Sequence, residues 1–238
     1  MLLDNPAARL LAILQQGSEH KNEANCRGVW TALLDTGGNN TLLMSRLGKV
    51  MNLPAEIIQT LDQEFPHQSG AHAHWSNQVN RGFMEQNLNG RWDTFSKFID
   101  QHTLSYLSLS ADLLQSKANT SLLNETTLQD TRDKIDGVLK DVLESDFPDE
   151  IKNYLVRGLQ RIIVAVDEYR ISGAAPILDA MEITLGHAFF DAEYRRALTN
   201  TDIGRTIVDV LASVASSITI AVGLPQLPET FQLLLGNH

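Results

Sequence analysis

The sequence predicts an all-α protein, a multi-helix bundle with two helical subdomains and a C-terminal apolar helix. Apolar residues recur at helical spacing almost throughout the chain. No alternating run rich in β-branched residues appears before Thr206. With 238 residues the chain is long enough to bury two cores. We therefore predict an N-terminal helical domain over 1–118, a three-helix antiparallel unit over 124–200, and an apolar helix with a short capping tail over 203–238.

The first half of the chain predicts a set of short helices. Their expected ranges are 5–16, 22–35, 40–51, 54–64, 76–88 and 91–116. Asn5 and Pro6 suit the N-cap and first turn of a helix. Pro54 also suits a helix start, because proline lacks the N–H that a helix interior uses. Three tryptophans supply large apolar bodies for this core: Trp30, Trp75 and Trp92.

The second half predicts longer helices. Their expected ranges are 126–145, 148–170, 174–198 and 203–223. The polar stretch 117–125 is the expected domain boundary, and Asn124 is the expected N-cap of the helix that follows. That helix carries apolar residues on one face and Asp and Lys residues on the other. Because short links favour antiparallel neighbours, the helices before residue 200 are expected to form the three-helix unit.

Charge and composition exclude several classes of protein. The net charge is -10 and the Lys and Arg residues are scattered singly, so the chain lacks the basic stripe that neutralises nucleic-acid phosphates. Cys26 is the single cysteine, which excludes an internal disulfide and suits a reducing compartment. We expect it to be a small buried hydrophobe rather than a nucleophile. The first residues lack a basic n-region and a small-residue cleavage site, so the predicted location is the cytoplasm.

One histidine cluster is a candidate metal site. His72 and His74 lie close together, with His67 just upstream, and histidine is the commonest metal ligand in proteins. A structural site needs about four ligands and a catalytic one about three, and no HExxH or paired CxxC motif identifies the others. A surface or loop histidine pair is therefore the favoured interpretation. A metal-dependent hydrolase centred on His72 and His74 stays as a lesser alternative.

No other motif predicts catalysis or a cofactor. The chain contains no GxSxG sequence, P-loop or dinucleotide fingerprint. His187 and Asp191 lie four residues apart and would share one face of a helix. We interpret them as a helical histidine paired with a carboxylate beside core aromatics, Phe189 and Phe190. The sequence thus predicts no catalytic residue, no cofactor and no firm metal site.

The apolar C-terminal segment supports two interpretations. From Val210 to Leu224 every residue is apolar, small or a hydroxyl residue, but this is shorter than the roughly 20 residues that span a bilayer. In a membrane-seeking segment apolar residues would encircle the helix. Its apolar body would be Ile207, Leu211, Val214, Ile218 and Val222, with Arg195, Arg196 and Arg205 on the headgroup side. Alternatively, residues 206–224 form the central helix of a soluble bundle or an oligomer interface.

The stretch VLESDFPDEIKNYLVRGLQRIIVAVDEYRISGAAPI, followed by a tail ending LPETFQLLLG, carries a resemblance to other proteins. It resembles uncharacterised all-helical bacterial proteins, some of which accompany anti-phage defence genes. The resemblance covers about residues 125–236 and rests on pattern rather than on a catalytic motif. It implies a helical accessory or effector protein without an enzymatic centre.

Two functional hypotheses follow from these observations. In the first, a non-enzymatic helical protein makes protein contacts through its N-terminal region and anchors to, or perturbs, the inner membrane through its C-terminal segment. In the second, a soluble helical adaptor or regulator uses the same segment as core or as a homo-oligomer interface. Both hypotheses predict a protein partner and no nucleic acid.

Overall fold

The protein is all-α, as the sequence predicts. The computed structural model describes residues 5–68, 70, 72–117 and 123–221. Within these ranges the regular structure is helical, and the one β-type pairing is an isolated bridge between Asn25 and Arg91. The chain divides into two compact units, Met1–Ala118 and Asn119–His238, here called unit 1 and unit 2.

The described residues of unit 1 form six α-helices. They are α1 (Pro6–Ser18), α2 (Cys26–Leu33), α3 (Asn40–Glu64), α4 (Ala73–Glu85), α5 (Asp93–Ser96) and α6 (Gln101–Lys117). The predicted N-cap of α1 is confirmed, because the Asn5 side chain accepts a hydrogen bond from the N–H of Ala8 at 3.0 Å. The same side chain donates to the carbonyl of Ala111 at 2.8 Å and so ties α1 to α6.

The predicted helix start at Pro54 is wrong, because α3 runs through this proline without a break. An interior proline removes a hydrogen bond and crowds the preceding turn, at a cost of about 3 kcal/mol. The apolar face of α3 offsets that cost: Val50, Leu53 and Ile57 are all fully buried around the proline. Packing in unit 1 therefore overrides the local preference that the sequence shows.

An aromatic cluster fills part of the core of unit 1. Its members are Trp30, Phe83, Trp92 and Phe95, with ring centroids 5.0 to 6.0 Å apart. The indole N–H of Trp30 donates to the side-chain carbonyl of Gln86 at 2.7 Å, and that of Trp92 donates to the carbonyl of Gly17 at 3.0 Å. The rings are thus buried with their polar atoms satisfied. Since Trp92 and Phe95 anchor a short α5, the single helix predicted over 91–116 is wrong.

Unit 2 contains the other six described α-helices. They are α7 (Glu125–Glu144), α8 (Asp149–Asp167), α9 (Tyr169–Ser172), α10 (Ala175–Gly186), α11 (Ala192–Asn200) and α12 (Asp202–Ala221). The predicted N-cap of α7 is confirmed, since Asn124 accepts from the N–H of Thr127 at 2.8 Å. Four of the five residues of its predicted apolar face belong to the core, Leu128, Ile135, Val138 and Val142, and the fifth, Leu139, is partly buried against it. The single helix predicted over 174–198 is wrong, because α10 and α11 are separate helices.

Helix α12 packs into the core of unit 2 against α7, α10 and α11. It approaches α11 closely at Gly204, where a side chain would collide with the carbonyls of Ala197 and Leu198. The encircling apolar surface expected of α12 is wrong: Thr206, Asp209 and Ser213 form an exposed polar face. No helix in the described part of the chain combines the length and the hydropathy that a bilayer-crossing segment needs.

Candidate protein-binding surface

The most unusual surface of unit 2 lies where α10 ends and the chain turns towards α11. Five residues form it, and we call it the aromatic corner: Tyr154, Ile183, His187, Phe189 and Phe190. With Glu182 and Gly186 they line an open hollow of about 460 Å³. The hollow is mainly apolar and falls within the size range of ligand pockets, which is about 300–1,000 Å³.

Two tyrosine hydroxyls end α10 and so create the corner. Tyr154 donates to the carbonyl of Ile183 at 3.1 Å, and Tyr194 donates to the carbonyl of Thr184 at 2.9 Å. The last carbonyls of a helix need partners of this kind, because they have none within the helix. Burial raises the pKa of Tyr194 far above its usual value, so its hydroxyl remains a donor. The chain then tightens into a 3-10 turn at His187–Phe189.

The imidazole of His187 sits between two tyrosines and a carboxylate. It stacks on the ring of Tyr154 with centroids 3.9 Å apart, and Tyr194 meets both rings edge-on. Its Nε2 lies 3.6 Å from a carboxylate oxygen of Asp191. The predicted pair of His187 and Asp191 is therefore present, but it lies at a corner between helices rather than within one helix.

Asp191 starts α11 as its N-cap. Its carboxylate accepts from the N–H groups of Tyr194, at 3.0 Å, and Glu193, at 2.9 Å. The Tyr194 N–H, with further contributions from the Glu193 N–H and His187, holds the pKa of Asp191 below its usual value. A negative charge is therefore fixed beside the aromatic corner at neutral pH.

The apolar side chains of the corner face solvent. Phe190 is 92% exposed, Phe189 is 56% exposed and Ile183 is 52% exposed. Among the phenylalanines that the structure describes, only these two are exposed, whereas the others are buried or half-buried. The prediction that Phe189 and Phe190 are core aromatics is wrong. The physical reason is the turn after Gly186, which a single continuous helix would lack.

The charges around the corner are mostly negative. From Ala175 to Glu193 the chain carries four carboxylates and no Lys or Arg. They are Asp179, Glu182, Asp191 and Glu193. Of these, Glu182 lines the hollow itself. Cations also lie nearby: the guanidinium of Arg157 is over the ring of Tyr154 at 5.9 Å, and the exposed Arg195 and Arg196 follow Glu193 on α11.

The structure buries the apolar body that was expected to seek a membrane. Ile207, Leu211, Val214 and Ile218 are at most 1% exposed and belong to the core of unit 2. Val222, the fifth residue of that set, lies outside the described residues. The described members of this set therefore face other helices.

The three arginines assigned to the headgroup side are all exposed. Arg195 and Arg196 lie on α11, and Arg205 lies in the first turns of α12. Arg205 pairs with Asp202 on its own helix. These arginines are therefore spread over two helices.

The two histidines proposed as metal ligands have separate surroundings. His72 Nε2 lies 3.5 Å from a carboxylate oxygen of Asp62, while the ring of His74 meets that of Tyr106 with centroids 5.6 Å apart. Within the described ranges, no three His, Cys, Asp or Glu side chains come together as a metal site. Cys26 is buried, as predicted, and burial raises the pKa of its thiol.

The aromatic corner was missed by reasoning from sequence. The adjacent phenylalanines are followed directly by Asp191, three residues before Tyr194, and this could have signalled the corner, because Asp is a preferred N-cap residue. A helix start at Asp191 would have put Phe189 and Phe190 in a link, where large apolar side chains need an explanation. No protein-family model, curated protein or solved structure matches the chain.

Proposed function

We propose that the protein is a non-catalytic helical adaptor that binds a protein partner through the aromatic corner of unit 2. One observation carries the proposal: Phe189 and Phe190 project into solvent beside an apolar hollow. Exposed aromatic rings that adjoin a pocket are typical of protein-binding sites, where a few such side chains supply most of the binding free energy.

Hydrogen bonds and ring contacts also fix the conformation of the aromatic corner. Tyr154 and Tyr194 are fixed by hydrogen bonds to α10, and His187 stacks on Tyr154 and meets Tyr194 edge-on. A preformed surface loses less conformational entropy on binding than a mobile one, so more of the contact energy appears as affinity. This supports a role in recognition.

The membrane hypothesis is less favoured. Insertion would require α12 to withdraw Leu211, Val214 and Ile218 from the core of unit 2, at about 2 kcal/mol for each side chain. We therefore propose that the C-terminal apolar helix is a core element of unit 2. We also propose that the protein is an accessory component of bacterial anti-phage defence. This part of the proposal rests on the sequence resemblance over 125–236 alone.

Site-specific crosslinking in cells tests the proposed function. A photo-reactive phenylalanine analogue replaces Phe190 in the full chain, and the same analogue replaces Met84 as a control. Met84 is 79% exposed and lies in unit 1, so it matches Phe190 as an exposed apolar side chain. The measurement is the mass and identity of crosslinked products in the native host cells.

We expect a discrete crosslinked protein from position 190 and none of that mass from position 84. Substituting Phe189 by Ala in the same chain should reduce the product. Equal products from both positions, or none from position 190, would contradict a binding role for the aromatic corner.

A further inference from the structure

We infer that the aromatic corner takes a protein segment with an apolar anchor flanked by Lys or Arg residues. This inference rests on the proposed function and specifies the chemistry of the partner. The hollow would receive the apolar anchor beside Ile183 and Phe189, and the surrounding carboxylates would meet the flanking cations. Each half of this description follows from a separate observation.

The apolar anchor of the partner is inferred from the residues that line the hollow. Tyr154, Ile183, Phe189 and Phe190 present rings and an aliphatic chain around a hollow of about 460 Å³. A side chain such as Leu or Phe fills a space of this kind and removes apolar surface from water on both partners. Because Phe190 is almost fully exposed, the partner must extend beyond the hollow and cover that ring as well.

The Lys or Arg residues of the partner are inferred from the carboxylates near the hollow. Glu182 lines the hollow, Asp179 lies one turn earlier on the exposed side of α10, and Asp191 follows the phenylalanines. Glu150 lies one turn before Tyr154 on α8 and is exposed. Carboxylates around an apolar centre favour a cationic partner, chiefly by raising the association rate and by rejecting acidic segments.

Two basic residues on α8 are engaged by other groups, whereas Arg161 on α8 and Arg195 and Arg196 on α11 are exposed. Lys152 is engaged by the carbonyls of Leu143 and Ser145, at 3.3 and 2.6 Å, where it compensates the C-terminal end of α7. Arg157 lies over the Tyr154 ring. Unit 2 as a whole has 18 acidic and 10 basic residues, so its formal net charge is -8.

The same charges disfavour other occupants. A second copy of the chain, docked corner to corner, would bring Glu182 and Asp179 against the same carboxylates of its partner. An anionic lipid surface would meet the same repulsion. The chain's own residues 222–238 include Glu229 and no Lys or Arg, so they lack the cations that this surface favours.

A pair of matched peptides tests the inference on the full chain. The probes are fluorescein-labelled helical peptides with the same apolar Leu face, one with Lys on its polar face and one with Glu. Binding is followed by fluorescence anisotropy at low and at high salt. We expect the Lys peptide to bind about ten-fold more tightly than the Glu peptide, with a difference that shrinks as salt screens the charges.

Variants locate the binding site. Phe190→Ala should weaken the Lys peptide by about ten-fold, in the range of an interface hot spot. Met84→Ala, which removes an exposed apolar side chain from unit 1, should leave binding unchanged. The double variant Asp179→Lys and Glu182→Lys should shift the preference towards the Glu peptide, a gain that an unfolded protein would not show.

Several results would overturn the inference. They are equal binding of both peptides, no binding of either, or equal losses from Phe190→Ala and Met84→Ala. A dimer that Phe190→Ala dissociates would identify a second copy as the occupant instead. Peptide binding that appears only after Phe231→Ser and Leu234→Ser in the full chain would identify the chain's own C-terminal segment. In any of these cases a crosslink from position 190 to a different protein would still support the proposed function. Failure of this inference can therefore be distinguished from failure of the proposed function.

Discussion

Units 1 and 2 are both all-α, but they use their aromatic side chains in opposite ways. Unit 1 buries Trp30, Trp92 and Phe95 in one cluster and satisfies the indole N–H groups of the two tryptophans. Unit 2 builds a mainly aliphatic core and leaves Phe189 and Phe190 exposed at a corner. Aromatic rings are stabilising when buried and recognition elements when exposed. The buried aromatics of unit 1 therefore stabilise that unit, and we propose that the exposed phenylalanines of unit 2 serve binding.

The two units also differ in net charge. Unit 2 carries a formal net charge of -8 and unit 1 carries -2. The three tryptophans all lie in unit 1, so tryptophan fluorescence follows unit 1 alone, while far-ultraviolet circular dichroism follows the helices of both. One sample thus gives a signal for unit 1 alone and a second signal for the helices of the whole chain.

The largest expected effect is Val214→Asp in the core of unit 2. This substitution buries an uncompensated charge in α12 and should lower the free energy of unfolding by about 4 kcal/mol. The circular dichroism transition in urea should move to lower denaturant, while the tryptophan transition stays in place. Ser213→Asp is the matched control, because the neighbouring Ser213 is exposed. A tolerated Val214→Asp would mean that α12 is not a core helix.

Gly204→Ala should cost somewhat less, about 3 kcal/mol, because the new methyl group collides with backbone carbonyls of α11. Gly137→Ala in α7 is the control, because the same substitution is expected to be stabilising there. A methyl group there meets nothing within 4 Å, so the substitution should stabilise unit 2 by about 1 kcal/mol. Thermal unfolding followed by circular dichroism compares the two. Equal effects would show that α11 and α12 do not pack as closely as the structure has them.

Trp92→Phe tests whether the buried aromatic residues stabilise unit 1. The ring remains aromatic, but the buried carbonyl of Gly17 loses its donor, so unit 1 should lose about 2 kcal/mol. Fluorescence of the remaining tryptophans should report the change in a urea titration. An unchanged midpoint would show that the indole hydrogen bond contributes nothing to unit 1.

The smallest expected effect concerns Asp191 and pH. Because the folded pKa of Asp191 is lowered, its contribution to stability is complete above the unfolded value of about 3.9 and disappears as pH falls through the folded value. At neutral pH, Asp191→Ala should be less stable than Asp191→Asn, which keeps an N-cap acceptor. The stability difference between the unmodified chain and Asp191→Asn should shrink below about pH 4. A difference that is constant across this range would contradict the role of the carboxylate charge.

The sequence predicts those elements of the fold that local chemistry determines. The all-α class, the N-caps at Asn5 and Asn124 and the apolar face of α7 were all predicted correctly, because each depends on neighbouring residues. The missed features depend on distant ones. Pro54 stays within a helix because of packing across α3, and α10 ends where Tyr154 and a second tyrosine supply hydroxyl donors.

The candidate surface was missed for the same reason. Apolar periodicity favours one long helix through Phe189 and Phe190, and a helix would bury such rings. Only the turn after Gly186 exposes them, and that turn is stabilised by contacts between α8, α10 and α11. Sequence patterns identify apolar residues, but tertiary contacts decide which of them remain in solvent.

The unfolding free energy of the double variant Phe189→Ala and Phe190→Ala tests the central claim most directly. If the rings serve recognition, their removal should change the free energy of unfolding by less than about 0.5 kcal/mol, as is usual for surface substitutions. A loss of about 3 kcal/mol or more, the usual cost of truncating a buried phenylalanine, would contradict the account. That result would return both rings to the core of unit 2 and remove the binding surface.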